Sequence, residues 1–245
     1  MHSVFLPCFG LCLSCFFGHW VWVTNTVELV YGFQRTPLMA RGRGRFKTRH
    51  AAQQRRRAVL FLLALSLVLG VAVGVFEVGL ALRSDGVLGM GATQLAVLFA
   101  ECSLVMFIAQ AVVFSPWFKA TATWRTIAPG LAIMGVGVLI LPWSNGLLAL
   151  SVVVGLVAAS GGVLVPVFTY WVSLAAGPQQ GTNLGSQVAA ASLGQGIGSA
   201  IVGLTYNTDL VTGAPFVLAA TLLVLSAVMG SSAAGRLRDL KPASQ

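Results

Sequence analysis

The chain has 245 residues, of which 57% are hydrophobic and only 9% charged, and its mean hydropathy is +0.87. Soluble domains carry charge on about a quarter of their residues, so a water-soluble globular enzyme or binding module is excluded. The net charge is +9, but nine of the fifteen Lys/Arg lie between Arg35 and Arg57, so the excess is one local block rather than a basic surface.

Residues 1–34 open with an uncharged stretch at 4–24 that is long enough to span a bilayer. It lacks the basic first region of a signal peptide. It reads either as an extra N-terminal hydrophobic helix or as an out-of-frame leader. The first fifty residues hold three of the four Cys, two of the six Trp and all three His, a composition foreign to the rest of the chain. Cys8, Cys12 and Cys15 form a C-x3-C-x2-C run that resembles the cluster-binding motif of radical-SAM enzymes. Those thiols share one helical face of an apolar segment, and no strands alternate with amphipathic helices, so neither a metal nor any other cofactor is expected. The basic run at 35–57 has the charge to bind nucleic acid or anionic lipid. Beside long apolar segments it reads instead as a cytoplasmic loop obeying the positive-inside rule, with no nucleic-acid partner.

From residue 58 to 235 the pattern is regular, and it predicts an all-α, polytopic bundle of six transmembrane helices. The apolar runs are Ala58–Leu82, Leu95–Val113, Thr126–Trp143, Leu147–Ser173, Leu184–Leu204 and Phe216–Met229, with Pro166 inside the fourth expected to kink it. The connections carry turn residues, including Asn145-Gly146 and the polar Gly177–Gly181 hairpin. If Arg55–Arg57 lie inside, six crossings return the tail at 236–245, with Arg236, Arg238 and Lys241, to the same side. Lys119 and Arg125 are then also inside, and only Arg83 is outside. The expected location is a cell membrane, the bacterial inner membrane, crossed many times.

In the fifth span small residues recur as Gly185, Ala189, Ser192, Gly196, Ser199 and Gly203. This spacing draws one thin stripe along a helix, and in lipid such a stripe lets another backbone come close. The expectation is therefore that Gly185, Gly196 and Gly203 form the packed face. Asn183, Gln187 and Gln195 lie in or beside the same run, and the glutamines serve either as interhelix glue or as cavity lining. Gly194–Gly198, GQGIG, has a dinucleotide-loop look but no preceding strand.

Glu77 and Glu101 are the only acids within the spans. Glu77 shares a face with Gly70, Gly74 and Ala81, which aims it at a neighbouring helix. Glu101 shares a face with Gln94. An ionised carboxyl in lipid costs about 2.5 kcal/mol or more, so each is either a proton-coupling or cation-recognition group or an interfacial carboxyl near a helix end. Tyr170 and Trp171 read as interfacial belt residues, with substrate stacking as the alternative. No Ser/His/Asp set and no nucleotide-binding loop is present. Catalysis is not expected, and the energy source would be an ion gradient.

FEVGLALR (76–83) with LFAECSLVMFIAQAVVFSP (98–116), and SLAAGPQQGTNLGSQVAAASLGQGIGSAIVG (173–203), resemble the C-terminal half of a major facilitator superfamily transporter, in its drug:proton antiporter branch. The resemblance runs from about Arg55 to Gly235. It implies six helices arranged as a 3+3 inverted repeat, with a substrate site at the midplane. It implies proton-coupled efflux of a small molecule, with protons, substrate and lipid as partners. A second six-helix half, or a homodimer, would complete the cavity, because residues 1–56 are too short to supply one. The alternative is a truncated, non-transporting membrane fragment or an assembly partner of another polytopic protein.

Overall fold

A long run of good helix formers without Gly or Pro, from Arg45 through Leu69, dictates the first element. The computed structural model describes residues 45–86, 88–115, 123–176, 179–205 and 213–238. The apolar segment at 4–24, Cys8, Cys12 and Cys15 lie outside them, as do Gly177, Pro178, Lys119 and the 239–245 tail. The helices are α1 (Arg45–Gly86), α2 (Ala92–Val113), α3 (Trp124–Ile140), α4 (Leu147–Ala176), α5 (Gln180–Thr205) and α6 (Ala214–Arg238). From Phe46 onward these helices belong to one compact unit. Each contains a stretch long and apolar enough to cross a membrane, and these six stretches mark a multi-pass membrane protein.

Several boundaries differ from the sequence expectation; α6 runs to Arg238 and so takes in the first three residues of the expected 236–245 tail. Part of the predicted 35–57 loop is helix, because α1 begins at Arg45 and runs unbroken for 42 residues. Arg, Lys, Gln and Ala all favour helix, so a polar segment attached to an apolar one extends it. The fifth helix likewise starts at Gln180 rather than Leu184. Pro129 lies within α3 and Pro166 within α4. The α3–α4 connection tightens into a 3-10 turn at Leu141–Trp143. It reverses at Asn145-Gly146, where Gly146 has φ +95°, a left-handed conformation that glycine adopts without strain.

The core follows helical periodicity. Leu62, Leu65, Leu69, Ala72, Phe76 and Leu80 line one side of α1; Ile127, Leu131, Met134 and Val138 do so in α3. Phe216, Ala219, Leu223 and Ala227 complete it from α6, with the buried faces spaced three and four apart. The principal packings are α3 on α6, α2 on α4, and α3 on α4, with α5 beside α4. At Gly162 of α4 an added Cβ would come within 2.8 Å of the Met106 carbonyl of α2, so those helices nearly touch.

Coverage is uneven. In α1, 61% of the most apolar window is buried, whereas α2 and α5 reach only 11% and 17%. Exposed α2 and α6 side chains are bulky: Val97, Leu104, Phe107, Ile108 and Val112 on α2, and Val217, Leu218, Leu225 and Met229 on α6. Such surfaces suit lipid tails. The open side of α5 is mixed: a stripe of small residues, Gly181, Gly185, Ala189, Ser192, Gly196 and Gly203, runs beside the exposed bulky Leu193, Ile197 and Leu204.

Candidate functional site

Two glycine pairs bring α1 and α5 to backbone contact. A Cβ at Gly70 would fall on the Ala191 carbonyl oxygen, and one at Gly74 on that of Gln195. Reciprocally, a Cβ at Gly194 would meet the Leu67 carbonyl, and one at Gly198 the Val71 carbonyl. Only glycine fits at these four positions. Their Cα–H groups aim at the opposite carbonyls, a weak hydrogen bond that recurs at close helix crossings.

This overturns the expected packed face. Gly185, Gly196 and Gly203 have nothing within 4 Å of a would-be Cβ. The face that packs holds Gln187, Gly194, Gly198 and Val202, all buried. Two thin faces exist on α5, and the amides decide between them. A polar side chain in a dry bundle must find a partner, so the face bearing Gln187 and Gln195 turns inward. Gly70 and Gly74 lie on the α1 side of this crossing.

One turn beyond Gly74 lies Glu77. Its Oε2 accepts a hydrogen bond from Gln195 Nε2 at 2.8 Å, across the crossing. No described cation pairs with Glu77, so the amide is its polar partner. An amide suits both protonation states of a carboxyl group. Its NH2 donates to a carboxylate, and its oxygen can accept from a protonated carboxyl once the amide turns over. The arrangement can therefore keep a proton or release it without breaking the helix contact. It lies about 10 Å from the Ser84 end of the span, seven residues at helical rise.

Glu101 is brought to a different interface. The Ser151 hydroxyl of α4 lies 2.7 Å from its Oε1 and 2.6 Å from its Oε2. Having one proton, that hydroxyl donates to one oxygen at a time. Gly155, one turn further along α4, leaves room beside the carboxyl, since its would-be Cβ is 3.8 Å from Oε1. Gln94 does not join Glu101; it caps the start of α2 by accepting from Gly91 N at 3.3 Å.

The remaining candidates do not converge on either acid. Gln187 is buried and donates to Thr169 Oγ1 at 3.4 Å, tying α5 to α4 as glue. Trp171 is 2% exposed and donates through Nε1 to Thr123 Oγ1 at 3.1 Å. It is a core residue and belongs to neither a belt nor a stacking surface. An aromatic N–H with a buried hydroxyl in reach is more stable inside than at the interface. Tyr170 packs edge-on against it, ring centroids 5.5 Å apart.

The contacts of four residues were not foreseen from the sequence. Ser151 gave no signal, being one serine in an apolar run. Gly194 and Gly198 were visible as a G-x-x-x-G pair, and their phase with Gln187 and Gln195 was the usable clue. Arg83 reaches from the end of α1 to the α3–α4 turn, donating to Ser144 O at 3.4 Å and Asn145 Oδ1 at 3.2 Å. Among the described residues no group of three or more His, Cys, Asp or Glu is placed to hold a metal ion.

No protein-family model matches the chain, and no curated protein matches it significantly.

Proposed function

We propose that this chain is a membrane transport protein that works as one six-helix half of a major facilitator-type exporter, coupling outward movement of a small molecule to protons. The observation that carries this reading is the Glu77–Gln195 hydrogen bond at the α1–α5 crossing. Acids within spans are costly and are kept where they pair or carry charge, and an amide partner accommodates both protonation states. The resemblance of residues 76–116 and 173–203 to the antiporter branch supports the same reading, and with it a 3+3 inverted repeat and a midplane site. The stripe of small residues on the open side of α5, Gly185, Ala189, Ser192, Gly196 and Gly203, supports a second helical body, either another copy or a separate six-helix half. That face also favours the alternative, in which the chain only assembles with another polytopic protein. Neither reading calls for catalysis.

The test is efflux of a lipophilic dye from proteoliposomes driven by an imposed pH gradient. The purified chain is reconstituted alone and with a co-expressed six-helix partner half. Export is expected only with the partner, and Glu77→Gln should abolish it while leaving membrane insertion intact. Export unchanged by Glu77→Gln removes this residue from the mechanism, and no export under either condition favours the assembly reading.

A further inference from the structure

We propose that the N-terminal foot of α1 binds anionic phospholipid headgroups through Arg55, Arg56 and Arg57. All three side chains are exposed and sit on one continuous helix. Successive helical residues are about 100° apart, so three in a row surround roughly 200° of the circumference. They form a partial collar rather than a stripe.

The depth of that collar comes from its neighbours. Val59 and Leu62 are buried against the bundle, while Leu60 is 55% exposed. Among the described side chains, from Gln53 on, Leu60 is therefore the first large apolar one of α1 turned to lipid, and marks the edge of the hydrocarbon. Arg57 lies about 4.5 Å and Arg55 about 7.5 Å before it at helical rise. The headgroup zone of one leaflet is about 5–8 Å thick. The guanidinium groups thus stand at phosphate level. No described carboxylate forms an ion pair with them. Gln53 and Gln54, exposed on the preceding turn, leave the collar open on that side. The helix continues back to Arg45, so the collar is carried on a rod rather than on a loop.

Guanidinium groups bind phosphate in a two-pronged geometry that an ammonium lacks. Because the three arginines diverge, each takes its own headgroup, and they do not form a pocket for one polyvalent lipid. Charge, depth and geometry all favour lipid over nucleic acid, whose closely spaced phosphates would have to follow a collar instead of a line.

The test uses the full chain in nanodiscs of seven parts phosphatidylcholine to three parts phosphatidylglycerol, with retained lipids counted by native mass spectrometry. Phosphatidylglycerol should be enriched over phosphatidylcholine. Replacing all three arginines with Gln should weaken that preference by about five-fold per arginine, on the order of a hundred-fold together. The Arg→Lys triple variant, which keeps the charge and hence insertion, should retain part of it. Removing the same charge at Arg236, Arg238 and Lys241 should leave the α1 preference standing. Cardiolipin should do no better than phosphatidylglycerol at equal phosphate. Enrichment unchanged in the Gln variant, or reduced equally by both charge removals, overturns the proposal. A DNA duplex that displaces phosphatidylglycerol with the same arginine dependence would assign the collar to nucleic acid instead.

Discussion

Replacing Gly74 with Ala adds one methyl group at the point where α1 and α5 touch. The new Cβ would fall on the Gln195 carbonyl oxygen and stand 3.0 Å from both the Gln195 carbonyl carbon and the Ser199 nitrogen. These atoms are backbone, so no rotamer change relieves the clash, and the helices must part by roughly 1 Å to restore ordinary contact distances. A shift of that size stretches the 2.8 Å Gln195–Glu77 bond past hydrogen-bonding range, a loss of about 1 kcal/mol in a membrane bundle. The Cα–H contacts at four glycines weaken together, at about 0.5 kcal/mol each. The expected destabilisation is about 3 kcal/mol, on the order of a hundred-fold in the folded-to-unfolded ratio, and comparable to other overpacked cores. Reversible unfolding of the purified chain by SDS in mixed micelles, followed by tryptophan fluorescence, measures it. Gly198→Ala should behave like Gly74→Ala. Gly196→Ala, with nothing within 4 Å, should change stability by less than about 0.5 kcal/mol. Equal effects at Gly74, Gly196 and Gly198 would refute the assignment of the packed face.

The other polar links give further expected outcomes. Ser151→Ala and Glu101→Ala, combined in a double-mutant cycle, should show a coupling of about 1 kcal/mol; additive losses would mean the hydroxyl and carboxyl do not meet. Arg83→Gln should free the α3–α4 turn, read as faster labelling of a cysteine introduced at Asn145, with little change in global stability; an unchanged labelling rate contradicts the bridge. Trp171→Phe should cost about 1 kcal/mol by removing the indole N–H that donates to the Thr123 hydroxyl. In the parent chain, that indole should resist quenching by brominated lipid.

Much of the bundle was legible because hydrophobic length is a strong signal. Runs such as Leu147–Ser173 and Leu95–Val113 cannot be hidden in a soluble fold, and turn residues such as Asn145-Gly146 punctuate them. The helix ends were less legible, since Arg45–Arg57 is as helix-compatible as it is charged. Packing within the bundle was the hardest to read. In water the buried face is the apolar one, but in lipid both faces of α5 qualify by size. Gly185–Gly203 gave the longer stripe, yet the shorter Gly194/Gly198 pair packs because it is in phase with two amides that need partners. Glu77 could be aimed correctly from Gly70 and Gly74. Its partner could not be identified, because Gln195 lies 118 positions away. Trp171 misled for a related reason: its position near a helix end suggested an interface, and only the three-dimensional proximity of Thr123 explains its burial.

The central claim is that a carboxyl group within the first span is held by an amide from the fifth. Dipolar recoupling NMR on the chain in lipid bilayers, labelled with 13C at Glu77 Cδ and 15N at Gln195 Nε2, measures that separation directly. A separation under about 4 Å is expected, as a hydrogen bond between these groups requires. A separation beyond about 6 Å, with the helices otherwise intact, would contradict it.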